Sequence, residues 1–211
     1  LLKRLDKGAT PYNLRNCAYV DDFDKEKIIY QEMVQRSEFV YDKTGFFCLD
    51  TGRIITGSSL KFLLPVLNSK LFFFAVKNYY GGGGLGATGI RMKHTFFEHY
   101  PIPQIPLEAQ QPFIAHADSM LELHATFQGL TQKVQRSLQR EFSLASLNTK
   151  LQQWHSLSYA NFLAELAKQK VKFTLQQKAE WEEFFVTEQQ KAHSLQQQIE
   201  QTDRQINAMV Y

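Results

Sequence analysis

The spacing of apolar residues changes along this chain. As far as Thr56 they come in short runs broken by turn residues, and beyond Pro106 they recur at steps of three and four. In the first region Ile28, Ile29 and Tyr30 begin one strand. Phe39 to Tyr41 and Phe46 to Leu49 give two more, separated by the turn Asp42-Lys43-Thr44-Gly45. Arg53 to Thr56 follows the turn Asp50-Thr51-Gly52. Short apolar runs between turn residues predict short antiparallel strands. Ser58 or Ser59 is placed to cap a helix over Leu60 to Leu67. A second short helix is expected from near Ser69 to about Lys77, and Gly81 to Gly89 is then loop. Pro101-Ile102-Pro103 and Pro106 are stiff, extended punctuation, because proline fixes its own φ and restricts its predecessor. They set the expected boundary between residues 1–106 and 107–211.

Past that boundary Ala117, Met120, His124, Phe127, Thr131, Val134 and Leu138 form one helical seam. Trp181, Phe185, Glu188, Ala192, Leu195, Ile199, Thr202, Ile206 and Met209 form another. The two run over about three and about four heptads, each in a helix expected to reach about 45 Å at about 1.5 Å per residue. His124 reads as a packing residue. Leu151, Trp154, Leu157, Tyr159, Phe162, Leu163 and Leu166 fall in shorter helices between. One seam cannot bury itself. The expected solution is an antiparallel pair with Phe127, Val134 and Leu138 facing Leu195, Ile199 and Ile206 or their neighbours; the alternative is pairing with another chain. The fold class is therefore α+β: a small mixed, mainly antiparallel β domain with short helices, then a helical region with two long antiparallel coiled-coil-like helices.

Composition adds boundaries. Hydrophobic residues are 44% and charged residues 21% of 211, which fits one large or two small globular domains. The densest apolar stretch, Phe62 to Val76, is interrupted by Pro65, Asn68, Ser69 and Lys70, so no membrane span is expected. Cys17 and Cys48 stand alone without C-x-x-C spacing, which argues against a zinc ribbon or disulfide scaffold and for a reducing cytoplasm. The chain opens on Leu1 and closes at Tyr211 inside an apolar helical pattern. It reads as a piece of a longer protein.

The charges are unevenly placed along the chain. From Thr51 to Phe97 there is no Asp or Glu, while Arg53, Lys61, Lys70, Lys77, Arg91 and Lys93 are all present. The same stretch carries Phe72, Phe73, Phe74, Tyr79 and Tyr80, then the tract Gly81 to Gly84. A basic, aromatic, glycine-bearing run is the footprint expected of a polyanion-binding surface; the competing reading is a core whose few charges happen to be basic.

Catalytic motifs are absent. Gly81-Gly82-Gly83-Gly84-Leu85-Gly86 matches G-x-G-x-x-G, but no acid stands at the distance a dinucleotide site needs, and no Gly-Lys-Ser/Thr completes a P-loop. The six histidines show no metal-ligand spacing. No acid is followed by Lys two positions on, and Asn-Pro-Pro-Tyr is missing. The chain alone reads as non-catalytic.

Several segments carry a resemblance: YNLRNCAY (12–19), EKIIYQEM (26–33), IITGSSLKFLLPVLNSKLFFF (54–74), GIRMKHTFFEHYPIPQIP (89–106) and TDRQINAMVY (202–211). Together they resemble the TaqI-like C-terminal specificity domain of adenine-specific DNA methyltransferases, including type IIG restriction–modification enzymes. The most specific part is Leu67-Asn68-Ser69-Lys70 followed by Pro101-Ile102-Pro103. The resemblance implies a target-recognition domain for double-stranded DNA in residues 1–106 and a helical spacer in 107–211. It also implies a bacterial, cytoplasmic parent enzyme whose upstream methyltransferase domain binds S-adenosylmethionine, with Mg if the parent also cleaves. No cofactor is expected in this chain, and the oligomeric state stays open. The alternative function is a structural module that dimerises or docks a partner through its heptad helices.

The residues expected at DNA are Arg15, Asn16, Arg53, Lys61, Lys70, Lys77, Tyr79, Tyr80, Gly82, Gly84, Arg91, Lys93 and His94. Arg91 is the first choice for a base, since its fork matches guanine; the competing reading pairs it with Glu98. Arg15 and Asn16 face a partner or pair with Asp21 or Asp22. Asn68 is read as a helix cap or turn residue ahead of a base contact. Tyr19, Phe23 and Tyr30 are expected in the core.

Overall fold

The computed structural model describes residues 10, 18–49, 51–80 and 89–211. The chain divides into two compact units, Leu1–Ile114 with Val210–Tyr211, and Ala115–Met209. The architecture is α+β: small antiparallel sheets and short helices, then long helices.

In the first unit β1 (Lys27–Gln31) lies between β3 (Val40–Asp42) and β4 (Gly52–Thr56), antiparallel to both. β2 (Met33–Val34) pairs with β5 (Ile90–Arg91) in a second small sheet. Only Glu32 separates β1 from β2. Ile28 and Tyr30 point inward and are buried with Phe39, Phe62, Leu67 and Phe72. Lys27 is also fully buried. It sits opposite Asp42 in the β1–β3 register, and its Nζ reaches Asp42 Oδ2 at 2.5 Å and the Phe23 carbonyl at 2.5 Å. A buried ammonium is tolerated only with such partners.

The expected strand over Phe46 to Leu49 is not formed. The Asp42 carboxylate accepts from Thr44 N (3.0 Å), Thr44 Oγ1 (2.6 Å) and Phe46 N (2.9 Å). The chain therefore curls around one side chain instead of feeding a ladder. Phe46, Phe47 and Leu49 are left exposed, with Phe47 stacked on Phe23 at 4.7 Å. Phe23 and Tyr30 are buried as expected, but Tyr19 is 56% exposed and only leans on Phe23.

Helix α1 (Leu60–Asn68) follows Ser59, which has φ 60° and makes no side-chain cap, contrary to the capping expectation. Helix α2 (Lys70–Ala75) continues into a π-helical turn, Val76–Tyr80. The cap between α1 and α2 is Ser69: its Oγ donates to Val66 O at 2.7 Å and accepts from Phe72 N at 3.1 Å. Asn68 has a different task. Its Oδ1 accepts from Phe39 N (3.0 Å), and its Nδ2 donates to Phe39 O (2.9 Å) and to Leu64 O (3.2 Å). The amide pairs with Phe39 as a neighbouring strand would. A short helix, α3 (His94–Phe97), packs against the π-helical turn.

The second unit takes most of α4 (Leu107–Glu141, 35 residues) and α7 (Leu175–Val210, 36 residues). At about 1.5 Å per residue each helix is about 50 Å long. Lys133 Nζ lies 3.9 Å from Glu188 Oε2, and further along α4 Arg140 and Glu141 share a groove with Glu180, Trp181 and Phe184 from earlier in α7. The two helices are therefore antiparallel. Val134 and Leu138 share a core with Phe185 and Ala192, so they face α7 earlier than Ile199. Much of that core comes from the intervening segment, with α5 (Thr149–Gln152) and α6 (Tyr159–Lys168). Leu147, Leu151, Trp154, Phe162 and Leu166 are all buried in it. Asn148 and Ser158 cap α5 and α6 by accepting from Leu151 N and Asn161 N. Gln189 on α7 donates to the carbonyls of His155 and Leu157, fastening this segment to the long helix. His124 is exposed rather than packed in the seam.

Candidate nucleic-acid interface

Three of the expected DNA-facing cations converge on one acid that the sequence did not single out. Glu32 is 3% exposed. Its Oε2 accepts from Arg53 Nη2 at 2.7 Å, its Oε1 accepts from Arg91 Nε at 2.5 Å, and Lys93 Nζ lies 4.0 Å from Oε1. Arg53 comes from β4 and Arg91 from β5, so each small sheet delivers a guanidinium to the residue between β1 and β2.

The backbone of Glu32 makes the same junction. Its N–H donates to Thr51 O at 2.9 Å, and its carbonyl accepts from Met92 N at 2.5 Å. The inward parity of Ile28 and Tyr30 carries on to Glu32, which is why its carboxyl is buried where the chain passes from one sheet to the other. Hydrogen bonding to Arg91 holds that carboxyl below the usual carboxylate range; burial opposes this and Arg53 adds to it. An ionised buried carboxylate between two guanidinium groups satisfies its own charge and leaves the cluster net positive. The side chains of Arg53, Arg91 and Lys93 stay 39%, 49% and 36% exposed, so the excess charge faces solvent.

Arg91 does not pair with Glu98. That carboxylate lies 3.7 Å from His99 Nε2 instead. Because Arg91 spends Nε on Glu32, its two terminal nitrogens lie outside the bond.

The other expected residues are spread around this cluster. Tyr79 is 75% exposed, edge-on to the exposed Phe74 at 6.2 Å. Lys77 is exposed on the same π-helical turn, which Asn78 braces by donating to Phe74 O at 2.7 Å. Single π-helical turns recur at functional sites. Tyr80 is half-buried against Tyr100 at 5.7 Å and acts as packing. Burial raises the Tyr100 phenol, and Tyr80 adds to the effect. His94 opens α3 and is exposed. Lys70 is exposed at the start of α2, and Lys61 lies over the Tyr41 ring at 5.8 Å, so neither joins the Glu32 cluster. Arg15, Asn16, Gly82 and Gly84 lie outside the described residues, as does the glycine tract up to residue 88.

Among the described residues no group of three or more His, Cys, Asp or Glu could hold a metal ion. Among the same residues no helix is long and apolar enough to cross a membrane. No curated protein and no solved structure matches the chain. Residues 106–210 match the model of a protein family described as a domain of unknown function (DUF8810), so the helical part of the chain, from Pro106 onward, is similar to that family.

Proposed function

We propose that residues 1–106 recognise double-stranded DNA as the C-terminal specificity domain of an adenine-specific DNA methyltransferase or type IIG restriction–modification enzyme. Residues 107–211 act as the helical spacer. The observation that carries this reading is the half-exposed trio Arg53, Arg91 and Lys93 gathered on the buried carboxylate of Glu32. Such a cluster offers fixed cationic donors to phosphate oxygens and a guanidinium to a base edge. Exposed Lys77, Tyr79 and Phe74 extend the surface with charge and ring faces. Methyl transfer belongs to the upstream domain, which holds S-adenosylmethionine; this chain supplies binding and sequence choice. The parent is a bacterial cytoplasmic enzyme.

The test is a fluorescence-anisotropy titration of a labelled duplex by the 211-residue chain at low and at high salt. Binding at low salt that weakens steeply as salt rises is expected, because phosphate contacts release counterions. No binding at low salt, or binding indifferent to salt, overturns the reading.

A further inference from the structure

We infer that Glu32 is a positioning residue for DNA sequence choice: it grips Arg91 by Nε so that the terminal nitrogens of that guanidinium are presented, end-on and pre-oriented, to a base edge. This rests on the DNA-recognition reading above.

A free arginine has many rotamers, and fixing it at a contact costs binding energy that a preformed bond avoids. Arg91 sits on a strand of two residues and is 49% exposed. Burial alone does not fix its tip, whereas the 2.5 Å bond from Nε to Glu32 does. Glu32 is itself held at both backbone groups, since its N–H donates to Thr51 and its carbonyl accepts from Met92. Arg53 takes the other carboxylate oxygen, which prevents Glu32 from turning away. The two arginines therefore have different parts. Arg53 is the less exposed of the two, and its Nε is buried without a hydrogen bond among the described residues. It locks the carboxylate. Arg91 is locked by it and points outward. Nitrogens at the end of a guanidinium can still donate in parallel to the two acceptors that guanine shows in the major groove.

Charge and position differ in what they predict for discrimination in Glu32→Gln. If Glu32 matters only through its charge, removing a negative group strengthens binding to every duplex alike. If it positions Arg91, binding to duplex in general is kept or strengthened while discrimination falls.

The experiment has two stages. A random-sequence duplex library is first selected on the wild-type chain. The selected duplex and a scrambled duplex are then titrated with the wild type, Glu32→Gln and Arg91→Lys. The expected result is that Glu32→Gln lowers the ratio of selected to scrambled affinity by about tenfold or more, with scrambled binding unchanged or tighter. Arg91→Lys keeps the charge, loses the fork and shows the same loss of ratio, and it leaves Glu32 bound to Arg53 should Glu32→Gln fail to fold. An unchanged ratio in either folded variant overturns the inference while DNA recognition stands. A wild-type chain that binds no duplex overturns the DNA reading and this inference with it. One that binds but enriches no sequence overturns the inference and the sequence-choice part of the DNA reading, and leaves only duplex binding standing.

Discussion

Asn68 pairs with the backbone of Phe39 through both halves of its amide, accepting from the N–H at 3.0 Å and donating to the carbonyl at 2.9 Å. The last residue of α1 thus does the work of a strand neighbour and fixes the approach to β3. Phe39 is buried, with its ring against Tyr30 at 5.0 Å and Phe72 at 5.6 Å. Replacing Asn68 with Ala leaves two backbone groups without their partner. It should cost about 1–3 kcal/mol, read as a lower denaturation midpoint with little change in slope. Asn68→Asp should be worse, because it sets a charged, non-donating carboxylate oxygen against the Phe39 carbonyl in a part-buried site.

Ser69 is the separable neighbour. Its hydroxyl caps α2 and closes α1 while 1% exposed. Ser69→Ala should cost about 0.5–2 kcal/mol, the usual range for a lost cap, and Ser69→Thr should lose less if the added methyl is accommodated. Thermal melts of the two variants check this.

Acid should weaken the first unit through two carboxylates. Burial would raise Asp42, but hydrogen bonds from Lys27, from the Thr44 side chain and from the Thr44 and Phe46 N–H groups outweigh it and hold Asp42 far below its ordinary value. Glu32 is lowered by Arg91 and Arg53. A carboxyl whose folded pKa is depressed gives stability that is full above its unfolded pKa, about 3.9 for Asp and 4.3 for Glu. That stability is lost as pH falls through the folded pKa. Urea midpoints should therefore decline below about pH 4, and Asp42→Asn should lower the plateau at neutral pH and flatten the acid limb. An acid limb in Asp42→Asn as steep as in the wild type would contradict this.

The second unit offers two contrasting tests. Leu138 is fully buried in the same core as Val134, Trp154 and Phe185, so Leu138→Ala should cost about 2–5 kcal/mol. Leu195, only half-buried, should lose less on the same change. Glu188 is a buried seam carboxylate whose Oε2 has no hydrogen bond among the described residues, with Lys133 at 3.9 Å. Its Oε1 accepts from Lys191 at 2.7 Å, and the Lys133 and Lys191 side chains are 62% and 56% exposed, so Glu188→Leu should be neutral or stabilising: it removes a buried carboxylate and leaves only solvated ammonium groups. Chemical denaturation of the three variants gives the comparison.

Much of the secondary structure was legible in the sequence. The strands at Ile28 to Tyr30 and Arg53 to Thr56 and the long helices after Pro106 follow from apolar spacing, because that spacing is what burial selects. What was hidden depended on side chains acting as backbone. Phe46 to Leu49 has strand composition, yet Asp42 takes the Phe46 N–H and no ladder forms. Asn68 looked like a cap, but Ser69 beside it holds that role. His124 fits the seam period but is exposed; a seven-residue period marks candidates, and the curvature and length of real helices decide which stay covered. The cations of the candidate interface were visible as an acid-free run, while Glu32 was not, because it lies outside that run and is joined to Arg91 only by tertiary pairing. Its inward parity after Ile28 and Tyr30 was the available signal.

The most direct test of the account is the salt slope of duplex binding, measured on the wild-type chain and on Arg91→Gln/Lys93→Gln, which leaves Arg53 to satisfy Glu32. Each phosphate contact contributes about 0.9 to the slope of log K against log salt. The account predicts a clear negative slope for the wild type and, for the double variant, weaker binding with a slope reduced by about 1–2, the smaller change applying where Arg91 meets a base. Equal affinities and equal slopes for the two proteins, or a wild-type slope near zero, would contradict it.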